Sequence, residues 1–160
     1  MKSTGQSKLV YIINVGRTKE AVISCYWAYI ERSKRVPDII HFIVTNLTLQ
    51  FLGDLRRAFS IISEKEITFN YTIVNEEDLE GMLTSLKQVI KEYKEKGYEI
   101  VVDVTPGRKT MSIALAQVAF EANADEVYYL HLKERKYEGY LYPLIPKPLV
   151  KLVRLWKRKP

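Results

Sequence analysis

Runs of apolar residues too continuous for a half-exposed strand alternate with helical stretches along almost the whole chain. Leu9–Asn14, Ile39–Thr45 and Ile100–Val104 carry almost no polar interruption. Strands of that kind are covered on both faces, the condition of a parallel sheet with helices above and below. Ile67–Val74 differs: Ile67, Phe69, Tyr71 and Ile73 alternate with Thr68, Asn70 and Thr72, so one face meets water and the strand belongs at a sheet edge. Val127–Leu132 is the fifth strand, and a last strand near Tyr140–Ile145 pairs back through a turn at Gly139. Helices are expected at about 18–34, 48–63, 77–96 and 107–122. Val22, Cys25, Tyr26 and Tyr29 share a face of the first, and Gly97 closes the third. Met111, Ala114, Leu115, Val118 and Ala119 share a face of the fourth, where the alanines permit close approach to the sheet. The expected fold class is α/β and Rossmann-like: a mainly parallel sheet of about six strands, helices on both faces, right-handed crossovers and a C-terminal hairpin strand. Residues 1–145 form that domain and 146–160 a short basic C-terminal segment, at most one short helix.

A chain of 160 residues is the size of one domain. No apolar run approaches the ~20 residues needed to span a bilayer. The N-terminal stretch MKSTGQSKLVYIINV has no small-residue cleavage site and reads as a strand, so a cytoplasmic location is expected. Cys25 is the only cysteine, which excludes a disulfide or a cysteine metal cluster; no metal or cofactor is expected. A net charge of +6 and a pI near 9.3 favour polyanionic partners modestly. Lys147, Lys151, Arg154, Lys157, Arg158 and Lys159 crowd the end of the chain, but no reader motif accompanies them. Specific DNA or RNA binding is therefore not expected. The many Lys, Glu, Ile and Tyr residues hint at a thermophilic source.

The stretch from Ile100 to Met111 joins an apolar strand to a helix through Asp103, Thr105, Pro106 and Gly107, with Arg108 and Lys109 opening the helix. A helix start offers unpaired backbone N–H groups and a positive dipole end, which suit an anion. The stretch is neither a Walker A loop nor a G-x-G-x-x-G fingerprint. Read without a ligand, it is an ordinary turn whose Arg and Lys are solvated. The loop after the first strand, Asn14-Val15-Gly16-Arg17-Thr18, again sets a glycine, a cation and a hydroxyl before a helix. Thr18 also fits a plain helix N-cap. With strands in the order 3-2-1-4-5, these two loops meet at the topological switch point, where sheets of this kind bind ligands.

These residues resemble the CARF family, the CRISPR-associated Rossmann-fold domains that sense cyclic oligoadenylates. The family's stronger motif is a strand followed by Asp-x-Thr-Gly-Gly-Thr/Arg-Lys-x-Met. Asp103, Thr105, Gly107, Arg108, Lys109 and Met111 match it, with Pro106 in place of the first glycine. Its weaker motif, Gly-x-Ser/Thr, is matched by Gly16 and Thr18, and the resemblance covers about residues 8–135.

The resemblance implies a homodimer whose crevice binds a cyclic oligoadenylate, cyclic tetra-adenylate being favoured. Its phosphates would meet Asn14, Gly16, Arg17, Thr18, Asp103, Thr105, Pro106, Gly107, Arg108 and Lys109, and its adenines the crevice walls. It further implies slow, metal-independent cleavage to linear di-adenylate by attack of a ribose 2′-hydroxyl. Lys109, Arg108 and Thr18 would then be catalytic, the two cations stabilising phosphorane charge and Thr18, with Arg17, holding the ring in line. The alternatives are a non-catalytic sensor, sink or regulatory module, and an ordinary nucleotide-binding domain. The latter lacks a ribose-reading acid after its first turn, since Pro37-Asp38 precedes the second strand. Effector nuclease motifs are not credible: Pro37 separates Arg35 from His41, and Glu92-Tyr93-Lys94 lies on a charged helix. His41 reads as a core residue and His131 as a strand-end residue. Trp27 suits either the core or a dimer interface.

Overall fold

The computed structural model describes residues 7–160. The reading of the N-terminal stretch falls partly on residues 1–6, which lie outside the described residues. The chain forms β1 (Leu9–Asn14), α1 (Lys19–Ser33), β2 (Ile39–Val44), α2 (Leu52–Ser63) and β3 (Thr68–Ile73). It continues with α3 (Leu79–Glu95), β4 (Glu99–Asp103), α4 (Lys109–Glu121), β5 (Glu126–Leu132) and β6 (Val150–Lys157). One sheet runs in the order β3-β2-β1-β4-β5-β6. Its first five strands pair in parallel, and β6 returns antiparallel to β5. This is the α/β, Rossmann-like architecture that the alternation of elements predicts. Among the described residues no helix is long and apolar enough to cross a membrane.

The period of two along each strand divides the interior into two layers. Leu9, Tyr11 and Ile13 of β1 point toward α1 and α2, where they meet Tyr26, Tyr29 and Phe59. Val10 and Ile12 point the other way, toward Met82 and Ile90 of α3 and Ala114, Leu115 and Val118 of α4. Covering both faces explains why β1 tolerates no charged residue. Each large aliphatic or aromatic side chain so buried contributes ~1.5–3 kcal/mol relative to exposure.

Two expectations need correction. No strand forms at Tyr140–Ile145; a 3-10 turn occupies Tyr142–Leu144. Pro143 removes a backbone donor that a ladder requires there, and Pro146 and Pro148 remove two more just beyond it. The sixth strand is β6, so residues 146–160 do not form a short helix. Val150 and Leu152 face the core while Lys151 faces solvent, a half-buried strand read through a run of positive charge. At the opposite edge, β3 meets water as its alternation implies, and the side turned out carries Tyr71 and Ile73. Asn70 and Thr72 turn inward instead, because polar partners wait there. Asn70 donates to the Tyr93 hydroxyl (2.9 Å), and Thr72 bonds His41 Nε2 (2.8 Å). His41 is thus a core residue; burial pushes its pKa down to about 4 and keeps it neutral.

Candidate functional site

Ile13 of β1 lies opposite Asp103 of β4, so the chain leaves both strands at one level. The loops that follow touch backbone to backbone. A Cβ on Gly16 would stand 2.7 Å from the Gly107 nitrogen and 3.1 Å from its Cα, which only glycine avoids. Gly107 itself has φ +96°, a conformation that favours glycine. The spacing of the two motifs therefore serves one contact.

Each loop delivers a helix start to the same rim. Thr18 is the N-cap residue of α1 in extended conformation, yet its hydroxyl makes no capping bond. Arg108 is the N-cap residue of α4, again without a side-chain cap. The first N–H groups of both helices consequently remain available to an anion. Gly16, Arg17, Thr18, Pro106, Gly107 and Arg108 border one cavity of about 550 Å³, and Thr105 reaches its edge.

Not every motif residue faces that cavity. Asp103 is buried, accepting from the Thr105 backbone N–H (2.9 Å) and from the Tyr11 hydroxyl (3.2 Å). Burial pushes its carboxyl up to about 6, against the pull of hydrogen bonds from Thr105, Tyr11 and Cys25. Thr105 Oγ1 accepts from the Leu130 N–H at 2.7 Å. Asp103 and Thr105 thus pin the turn to β1 and β5. Asn14 lies beneath it, fully buried, with neither carboxamide atom hydrogen-bonded. Lys109 turns to a neighbouring shallow depression, which it shares with Arg17, Glu77 and Thr110. Neither histidine borders the cavity. Among the described residues no three His, Cys, Asp or Glu side chains gather as ligands of a metal ion would.

Sequence reasoning missed two contributors. Glu76, on the loop after β3, binds the Arg108 guanidinium through Nε at 2.9 Å. That pairing orients the side chain while leaving its terminal nitrogens to a second partner. The connection between β5 and β6 closes the far wall with Tyr137 and Tyr140. Its tyrosines beside Gly139 were a signal, hidden by the strand assigned to that stretch.

A family model described as CRISPR-associated protein NE0113 matches residues 40–147, which include the Asp103–Lys109 turn. The chain belongs to that family, a group of CARF-domain proteins. Solved CARF proteins share the fold. Csm6 of Enterococcus italicus, bound to cyclic hexa-2′-fluoro-hexa-dAMP, superposes with a TM-score of 0.66 at 13% identity, over 92% of this chain and 42% of its own. Can2 of Sulfobacillus thermosulfidooxidans, in complex with cyclic tetra-adenylate, gives 0.57 at 13% identity, over 75% and 31%. A type III CRISPR defence DNA nuclease activated by cyclic oligoadenylate gives 0.54 at 18%, over 81% and 19%. The chain thus spans less than half the length of each. No curated protein matches it.

Proposed function

We propose that this CARF protein binds cyclic oligoadenylate, cyclic tetra-adenylate by preference, in the crevice of a homodimer and slowly cleaves it to linear di-adenylate without a metal. The contact of Gly16 with Gly107 carries the reading, because it joins two uncapped helix starts at one cavity. Paired about a two-fold axis, two such cavities would offer a symmetric ring two copies of every donor. Backbone N–H groups at Gly16–Thr18 and Gly107–Lys109 would take the phosphates. Arg108, its Nε held by Glu76, would present its free nitrogens to a phosphate, and Lys109 would approach from the adjoining depression. Cleavage needs an in-line 2′-hydroxyl: its oxygen bonds to phosphorus and its proton passes to solvent, while these cations meet the phosphorane charge. The P–O5′ bond then breaks, leaving a 2′,3′-cyclic phosphate and a 5′-oxygen that takes a proton from solvent. With no histidine at the cavity to take that proton, the rate is low.

The same placement of the histidines favours a second reading, a sensor or sink that holds the ring intact. One experiment tests both. The protein is incubated with cyclic tri-, tetra- and hexa-adenylate in EDTA, and binding and products are followed by calorimetry and chromatography. Linear di-adenylate from the tetra-adenylate ring is the expected product, with Lys109→Ala slowing its release at least tenfold without lowering Tm. Tight binding of an uncut ring selects the sensor. Neither binding nor cleavage of any ring would falsify both.

A further inference from the structure

We propose that the connection between β5 and β6 carries a purine-stacking subsite, with the Tyr140 ring as its platform and Tyr137 as the anchor behind it. The inference rests on the ring-binding reading and names where a base of that ring lies. Residues 133–149 form a far longer connection than the roughly two to five residues that close an ordinary hairpin. Rather than standing out in solvent, the segment folds back onto α1. Ser24 Oγ donates to the Tyr140 carbonyl at 3.1 Å, and Lys147 pairs with Glu31 at 2.7 Å. The fold thus holds the backbone of this segment in place beside the cavity.

Tyr137 packs against the interior, and its ring meets Tyr140 edge to face, with centroids 5.4 Å apart at 84°. An edge-to-face pair leaves one ring face uncovered. Tyr140 is 48% exposed and borders the cavity, as Tyr137 does. A half-exposed aromatic ring, anchored by a second one and facing a cavity, is built to receive another flat surface. Distance supports a nucleotide. Ser24, which fixes Tyr140, stands six residues beyond Thr18 on α1, or about 9 Å along the helix axis. That is the reach from a phosphate at the helix start to the base of the same nucleotide. A purine offers the larger π-face and gains more from such a platform than a pyrimidine.

The test is equilibrium binding of cyclic tetra-adenylate and cyclic tetra-uridylate, rings of equal phosphate count, to the wild type, Tyr140→Ala and Tyr140→Phe. Loss of the platform should weaken the adenylate ring roughly tenfold, within the range known for base–aromatic stacking, and the uridylate ring less. Tyr140→Phe should bind as the wild type does, since stacking needs no hydroxyl. Unfolding temperatures without ligand check that the half-exposed residue leaves the fold intact. Wild-type affinity in Tyr140→Ala, an equal loss for both rings, or a Tyr140→Phe as weak as the alanine variant overturns the subsite alone. A wild type that binds neither ring, nor the other cyclic adenylates, overturns the proposed function and the subsite with it.

Discussion

Asp103 is a carboxylate held where a neutral group would rest more comfortably. Burial lifts its pKa from the ordinary 3.8 to about 6, so at neutral pH the folded chain carries a buried negative charge. The sign of the linkage follows. A carboxyl that binds its proton more tightly when folded contributes stability below about pH 4, and that contribution is lost as the pH rises through about 6. The loss is at most ~3 kcal/mol, two pK units at about 1.4 kcal/mol each. Asparagine keeps an oxygen for the Thr105 N–H, and its amide can donate to the Tyr11 oxygen. Asp103→Asn should therefore raise Tm at pH 7.5 by several degrees and bring little change at pH 4. The comparison is made by melting both proteins across that range, and a variant less stable at pH 7.5 contradicts the assignment. At this scale the sequence was legible in part. Gly16 and Gly107 could be singled out because their requirement is local: a turn, a helix start, a close approach. The orientation of Asp103 could not, because it depends on a tyrosine of another strand. The pairing of Arg108 with Glu76 was hidden for the same reason, since the carboxylate arrives on a loop distant in sequence.

Among the elements, β1, β2 and β4 announce themselves because parallel strands buried on both faces leave no room for polar residues. β6 does not, since only part of it is buried and Lys151, Arg154 and Lys157 are exposed along it. It is nevertheless part of the fold. Trp156 Nε1 donates to the Ala124 carbonyl at 2.9 Å, and its ring packs on Phe120 with centroids 5.4 Å apart. Arg158 reaches Asp125 at 3.4 Å from the same end. Trp156→Ala removes the hydrogen bond and the half-buried ring together. The expected cost is ~2 kcal/mol, below the 3–5 kcal/mol typical of a fully buried tryptophan. Chemical denaturation reads it directly. A solvated basic tail would tolerate the change without effect, so an unaltered midpoint would count against β6 as an element of the sheet. Ring affinity should not move with it, because Trp156 lies away from the cavity.

For the whole molecule, strand order is what turns two unremarkable loops into one place. Because β1 and β4 are neighbours, residues near 16 and near 107 meet, although α1, α2, α3, β2, β3 and β4 separate them along the chain. That convergence was legible, since short right-handed crossovers leave few other orders. The segment over α1 was not, because nothing in its composition says which face it will cover. A single chain places one copy of each loop at an open cavity, whereas a cyclic tetra-adenylate has four phosphates arranged symmetrically. The homodimer of the proposed function resolves that mismatch, and it fixes a stoichiometry. Calorimetry should give half a ring per 18.7 kDa chain, and sedimentation a particle of twice that mass. Affinity should fall as salt rises, since Arg17, Arg108 and Lys109 contribute through charge rather than packing. One ring for every chain, bound by a particle of single mass, would show that the cavity of one subunit suffices and that no two-fold axis crosses it.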